Sequence, residues 1–215
     1  MSVETARRTA REHGLTATLA GLHDGLPEPT LTCGPTGCCV LPEPVLRDAR
    51  RVWNGGAVAV LDPARVERLG TVETPEGPLA AVRYRGETEP AGDPAPWPAW
   101  VARLAGLRLG LSEALLDSTI VHLGSRRAGD TALLLQQMVK GTLADVVTEQ
   151  IEVRTSLTGV RPPIETLADL HRQITQADRM LLRLLGAGGF TMAGPGSLVN
   201  ASELLADAWL GGGEN

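Results

Sequence analysis

The sequence predicts an α+β protein, a small N-terminal antiparallel β unit followed by a C-terminal up-down four-helix bundle, and three observations carry that prediction. Residues 106–145 read as the end of one long apolar helix, a basic corner at Arg126 and Arg127, and a second long helix starting near Asp130. Two neighbouring helices joined by so short a corner must pack antiparallel, as in a bundle. Farther on, Leu167, Leu170, Ile174, Ala177, Leu181 and Leu184 alternate in steps of three and four, which draws one apolar stripe along a helix. Ahead of the bundle, short apolar runs alternate with Gly, Pro and Asn, the pattern of strands and turns.

Taken in order, the chain divides into residues 1–28, a short helical segment; 29–86, a reduced β domain; 87–98, a Pro-rich linker; and 99–215, the bundle. Ser2 to His13 suits a short helix stopped by Gly14, and a second helical stretch follows over Thr16 to Leu22 before the turn residues His23, Asp24 and Gly25. Strands are expected over Ala57 to Leu61, Val66 to Val72 and Leu79 to Tyr84, the last two forming a hairpin around Pro75-Glu76-Gly77-Pro78. The linker carries four prolines, which neither a helix interior nor a central strand tolerates. Its acids Glu87, Glu89 and Asp93 read as a solvated face.

The first bundle helix runs to about Ser125, the second from Thr131 to about Ser156, and Thr158 to Pro163 closes a loop with two prolines. The striped third helix stops at Gly186-Ala187-Gly188-Gly189, where backbone freedom replaces helix. The last helix is expected to start at Asn200, with Glu203 completing a capping box and Val199 and Leu204 a hydrophobic staple, and to end at the glycines 211–213. Trp97, Trp100 and Trp209 read as core or interface anchors. His122 reads as a partly buried polar residue and His171 as a surface one.

Composition narrows the function classes. With 215 residues, 43% hydrophobic and 21% charged, the chain has ample material for a buried core. A net charge of -5 with scattered basic residues disfavours a nucleic-acid surface, and aromatics at 3% offer few stacking platforms. No apolar run approaches the roughly 18 residues of a membrane span, and the N-terminus has no apolar signal core, so a cytoplasmic protein is expected. Cys33, Cys38 and Cys39 are spaced by five and one with no histidine beside them, which suits small buried hydrophobes better than a metal site or disulfides.

The stretch from Gly110 to Ala144 resembles the C-terminal helical domain of the acyl-CoA dehydrogenase family. There a G-L-x-x-x-x-L-D helix leads to an arginine, and the next helix carries a glutamine followed by L-A. Gly110, Leu111, Leu116 and Asp117 match the first part, followed without a gap by Arg126, Gln137, Leu143 and Ala144. Arg183 to Phe190 resembles the family's glutamine-containing helix end with its G-G-x-G-F turn, and Thr30 to Gly37 loosely resembles its L-T-E-P-x-x-G-S flavin-contacting strand end. The likeness covers Trp97 to about Trp209 well and the β segment loosely.

The resemblance implies that Arg126 and Gln137 help hold the pyrophosphate and adenosine end of FAD across a subunit interface, with backbone from Gly186, Gly188 and Gly189 approaching the same cofactor. A guanidinium clamps phosphate bidentately, and a glycine turn leaves N–H groups unobstructed. Each residue also has a plainer reading: a solvated corner, a polar helix position, a helix stop. Two positions depart from the pattern, Gly129 where the family has an aromatic and Arg183 where it has glutamine.

The family's chemistry removes an α-proton from an acyl thioester with a carboxylate while a hydride leaves for the flavin. The resemblance puts that carboxylate either near Trp100, where none stands, or beyond the last motif helix, where Glu214 is the one candidate, so no catalytic residue is assigned. The leading expectation is therefore a truncated acyl-CoA dehydrogenase-like flavoprotein acting on an acyl thioester, as a homodimer or as a heteromer with a larger subunit. The competing readings are a non-catalytic partner subunit and a flavin-free site repurposed for another reaction.

Overall fold

The computed structural model describes residues 1–26, 28–53, 58–86, 97–159, 162–190 and 194–210. Most of the proposed linker, the turn 54–56, Glu214, the terminal glycines and the side chain of Trp97 lie outside the described residues.

Helix α1 (Val3–Asp24) is two helices in one: Ser2 accepts from Thr5 N at its start, and Gly14, at φ +81°, breaks it where the sequence put a stop. The second half doubles back, so that Gly21 and Gly25 lie against Met1. Its first N–H groups need acceptors, and the hairpin-turn residue Glu76 supplies them, taking Leu15 N at 3.0 Å and Thr16 N at 2.7 Å.

The β unit follows as two small sheets. One orders β1 (Thr30–Thr32), β3 (Arg51–Trp53) and β4 (Val58–Val60); the other orders β2 (Cys38–Pro42), β6 (Leu79–Tyr84) and β5 (Val66–Val72). The β5–β6 hairpin is antiparallel as expected, but β1 and β3 pair in parallel. That departure from a purely antiparallel unit arises because β2 and the short α2 (Glu43–Asp48) intervene, giving the chain length to cross over. Leu31, Leu41, Val52 and Val82 close the sheets on each other around Cys33 and Cys39, both buried, whose Sγ atoms are 3.7 Å apart.

The bundle comprises α3 (Trp97–Ser125), α4 (Gln137–Leu157), α5 (Ile164–Leu185) and α6 (Pro195–Leu210). Paired contacts fix the directions. Ser112 meets Gln150 while Leu123 and Leu143 share a cluster, so α3 and α4 run opposite ways. Arg108 meets His171 and Thr175 while Leu115 and Leu123 join Leu181 and Leu185, so α3 and α5 run the same way. Trp100 meets Trp209 and Arg108 meets Ser202, which sets α6 opposite to α3. The result is the up-down-up-down order expected from the sequence, and the stripe from Leu167 to Leu181 is buried throughout. No helix among the described residues is long and apolar enough to cross a membrane.

The first half of α1 also packs on α3. Gly106 and Gly110 admit its backbone so closely that a Cβ would fall 2.6 Å from Val3 O and 2.0 Å from Arg7 O. Arg7–Glu113 at 2.5 Å and Arg11–Asp117 at 2.7 Å lock the same pair of helices.

α3 starts at Trp97, two residues inside the expected linker, and two other helix starts differ more. α4 begins at Gln137, because residues 127–128 and 131–132 pair as a minute hairpin around Gly129 (φ +61°), and a 3₁₀ turn at Leu133–Leu135 consumes the next residues. α6 begins at Pro195, whose fixed φ suits a first helical position, so Asn200 lies inside the helix and caps nothing. Glu203 pairs instead with Arg179 at 2.9 Å.

Candidate functional site

Since α3 and α5 run the same way, their C-terminal ends meet at one end of the bundle. Arg126 follows the end of α3, Gln137 is the first residue of the antiparallel α4, and the 3₁₀ turn Gly186–Phe190 follows α5. The fold thus gathers Arg126, Gln137, Gly186, Gly188 and Gly189 at that end, with no hydrogen bond joining them among the described residues. Arg126 is exposed, its guanidinium reaching among the described residues only His122 Nε2 at 3.4 Å, and Gln137 is exposed.

The glycines have local explanations as well. Gly186 sits at φ +61° as the stop of α5, and a Cβ there would meet nothing within 4 Å. A Cβ on Gly189 would press on Leu185 and Leu182 of the helix it follows. Large apolar side chains surround this end in water: Val121 is 73% exposed, Leu135 56% and Met138 86%.

The strand end at Thr30–Gly37 is different. The last turn of α6 lies across it so tightly that a Cβ on Gly34 would fall 1.8 Å from Ala208 O. Trp209 follows, packing on Trp53 at 5.4 Å and Trp100 at 6.0 Å between ring centroids. The two regions therefore answer a flavin dinucleotide oppositely. The bundle end presents an exposed guanidinium and, at Gly186, open backbone, chemistry that suits a phosphate, while Gly189 is buried against α5; the strand end at Gly34 is covered by α6.

Sequence reasoning missed the polar group inside the bundle. Arg108, fully buried, gives Nε to Ser202 Oγ at 2.9 Å, Nη1 to His171 Nδ1 at 2.9 Å and Nη2 to Thr175 Oγ1 at 2.7 Å. His171, expected at the surface, is buried, with Nε2 donating to Val101 O at 3.2 Å. Its position explains the correction: it stands four residues after Leu167 and three before Ile174, within the apolar stripe. Arg108 carried a signal too, as the lone charge in the apolar run from Leu104 to Leu111 of α3.

Burial and the nearby Arg108 charge push the His171 imidazole down to about 3, so it is neutral. Burial likewise pushes His23 down to about 4, where it packs edge-on to Trp100 and bonds Thr30 O through Nδ1. Asp178 behaves oppositely: burial raises its carboxyl to about 7 against a bond from Ser112 and the attraction of Arg108. Its Oδ1, shut off from solvent, has no hydrogen-bond partner among the described residues.

These shifts set a pH profile. Both histidines titrate lower folded than unfolded, so their contribution is present above about pH 6.5 and lost as pH falls towards 3–4. Asp178 titrates higher folded than unfolded, so its contribution is present in acid and lost as pH rises through about 7. Two opposing one leaves stability rising by on the order of 1 kcal/mol per pH unit from about 4 to a maximum near about 6.5, then falling slightly. Thermal melts across this range check it: Asp178→Asn should steepen the acid limb and abolish the decline above neutrality.

No protein-family profile matches the sequence, and no curated protein does. Solved structures do. The chain superposes on the Tcur3481-Tcur3483 steroid ACAD with a TM-score of 0.56 at 17% identity, covering 95% of this chain and 69% of that one. It matches the ChsE4-ChsE5 complex from Mycobacterium tuberculosis with a TM-score of 0.53 at 17% identity, covering 75% and 51%. Butyryl-CoA dehydrogenase from Megasphaera elsdenii gives 0.53 at 12% identity, covering 84% and 58%. The chain has an acyl-CoA dehydrogenase-like fold and spans about half to two thirds of the chains it matches.

Proposed function

We propose that this chain is the accessory member of a two-subunit acyl-CoA dehydrogenase-like assembly. A larger partner carries the flavin ring and the acyl thioester, while this chain offers Arg126, Gln137 and the backbone of Gly186, Gly188 and Gly189 to the phosphate end of the partner's FAD. The observation that carries this reading is the setting of those residues, an exposed guanidinium and amide flanked by Val121, Leu135 and Met138 in water. Large apolar side chains grouped beside exposed polar ones mark a surface that a partner covers. The covered strand end supports it from the other side, since α6 occupies the ground beside Gly34 that the resemblance gives to the flavin. Two of the matching structures bear paired names, ChsE4-ChsE5 and Tcur3481-Tcur3483, which supports assembly with an unlike subunit.

Co-expression with a larger acyl-CoA dehydrogenase-like subunit, followed by absorption spectroscopy, tests the reading. The chain alone should purify colourless and the pair should copurify yellow. Arg126→Ala should weaken FAD retention by the pair by on the order of ten- to a hundredfold, the worth of a lost charged hydrogen bond. Stoichiometric FAD on the chain alone overturns the division of labour, and unchanged retention in the variant overturns the role of Arg126.

A further inference from the structure

The hydrophobic centre of the β unit holds a pair of thiols that the proposed assembly does not use. Cys33 and Cys39 are 0% and 3% exposed, and Cys33 Sγ donates to Cys39 Sγ at 3.7 Å. The backbone brings them together. Cys33 gives its N–H to Trp53 O of β3, while Gly34, the next residue, gives its own to Cys38 O at 2.9 Å. Cys33 and Cys39 thus oppose each other as neighbours with no hydrogen bond between their backbones, the arrangement that sets Cα atoms about 4.5 Å apart. That spacing lies inside the disulfide window of roughly 4.4–6.8 Å. The reversal that opposes them is built into the chain: Gly37, at φ +76°, bonds back to Gly34 O at 2.9 Å.

Cys38 is set apart from the pair. Successive side chains of a strand point to opposite faces, and the half-buried Cys38 turns from the core to Arg83, whose Nε donates to its Sγ at 3.4 Å. Around the pair itself stand Leu31, Leu41, Val52 and Val82, so among the described residues the thiol within reach of each sulfur is the other. The way in from solvent is the turn between them, where Pro35 and Thr36 are exposed.

We infer that Cys33 and Cys39 are a two-electron redox couple, closed to a cystine by a small disulfide such as oxidised glutathione and reopened by a thiol. One cysteine thiolate attacks a glutathione sulfur and expels the first glutathione thiolate. The second cysteine thiolate attacks the protein sulfur of that mixed disulfide and expels the other. The two protons given up by the cysteines pass to the two glutathione thiolates, so the protein loses two electrons and one glutathione disulfide gains them. Closure brings the sulfurs from 3.7 Å to about 2.05 Å, which side-chain rotation supplies at this Cα spacing. It ties the base of the turn whose Gly34 lies beneath Ala208 O, so the oxidised state holds the strand end against α6 more firmly. The Cys33 bond and burial push the Cys39 thiol well up, so exchange at neutral pH is slow and the position of equilibrium is the readout.

The whole chain carrying Cys38→Ser, which keeps only the pair, is brought to equilibrium in glutathione redox buffers, folded and in concentrated urea. The oxidised fraction is read from the intact mass, which falls by about 2 Da per bond. The folded chain should be half oxidised at about a tenfold or more lower ratio of oxidised glutathione to squared reduced glutathione than the unfolded one, because the fold opposes the two sulfurs in advance. By linkage the oxidised chain should then unfold at a higher urea midpoint. Cys33→Ala should abolish the mass loss, and the wild type should yield a Cys33–Cys39 peptide with Cys38 outside the bond. The inference is overturned if the folded chain needs as much oxidised glutathione as the unfolded one, if glutathione stays attached to the pair as a mixed disulfide, or if the wild-type bond includes Cys38.

Discussion

Arg108→Ala is expected to lower the unfolding free energy by about 3–5 kcal/mol, read as a fall in the urea midpoint at unchanged slope. Four acceptors depend on this one side chain, Ser202 Oγ, His171 Nδ1, His171 O and Thr175 Oγ1, and they tie α3 to both α5 and α6. Truncation strands those acceptors in a dry interior, which costs more than the bonds contributed when made. It also leaves a void where a fully buried guanidinium stood. Neutralisation of Asp178 softens the loss, because the charge that was holding its carboxyl down disappears and the acid protonates. Arg108→Met separates the two components. It keeps most of the volume while removing the donors, so it should cost less than half as much. A loss no larger than that of an exposed arginine such as Arg172 would mean that the polar group does not hold the bundle together.

The parts of this molecule that were legible in the sequence are those decided within a few residues. Gly14 marks the break in α1 because no other residue takes φ +81° without strain, and the stripe from Leu167 to Leu181 declares its buried face by spacing alone. The run from Gly110 to Ala144 placed the antiparallel pair of helices, although the start of α4 moved to Gln137 once the corner at Gly129 paired as a hairpin. Asn200 and Glu203 had the pattern of a cap but not its use, since Pro195 opened the helix a turn and a half earlier and Arg179 claimed the carboxylate.

What was illegible depends on partners far along the chain. Arg108 joins residues 63 to 94 positions away, and Glu76 serves N–H groups some 60 positions before it. The polar interior and the covered strand end follow from how the helices cross, and no local pattern encodes that. The same distinction applies to the bundle end: the sequence named Arg126, Gln137 and the glycines one by one, while their grouping beside exposed Val121, Leu135 and Met138 emerged only from the helix directions.

Gly34→Ala should have an effect of comparable size, about 3–4 kcal/mol, for a reason that bears on cofactor access. The added methyl would overlap Ala208 O at 1.8 Å, Ala208 C at 2.7 Å and Trp209 Cα at 2.9 Å, all backbone atoms that no rotamer change relieves. Nor can the strand end easily retreat. Cys33 N is bonded to Trp53 O at 2.7 Å, and Gly34 N to Cys38 O at 2.9 Å. The last turn of α6 must therefore lift, drawing Trp209 out of its packing against Trp53 and Trp100. Burial of a tryptophan supplies most of what that turn contributes, so the loss of stability should come with a red shift in tryptophan emission. Because the damage is confined to one end of α6, the bundle beneath it, held by Arg108 and the α5 stripe, should keep its helical circular dichroism. If the variant melts and fluoresces like the wild type, α6 does not seal the strand end, and this chain regains a place where a flavin ring could sit.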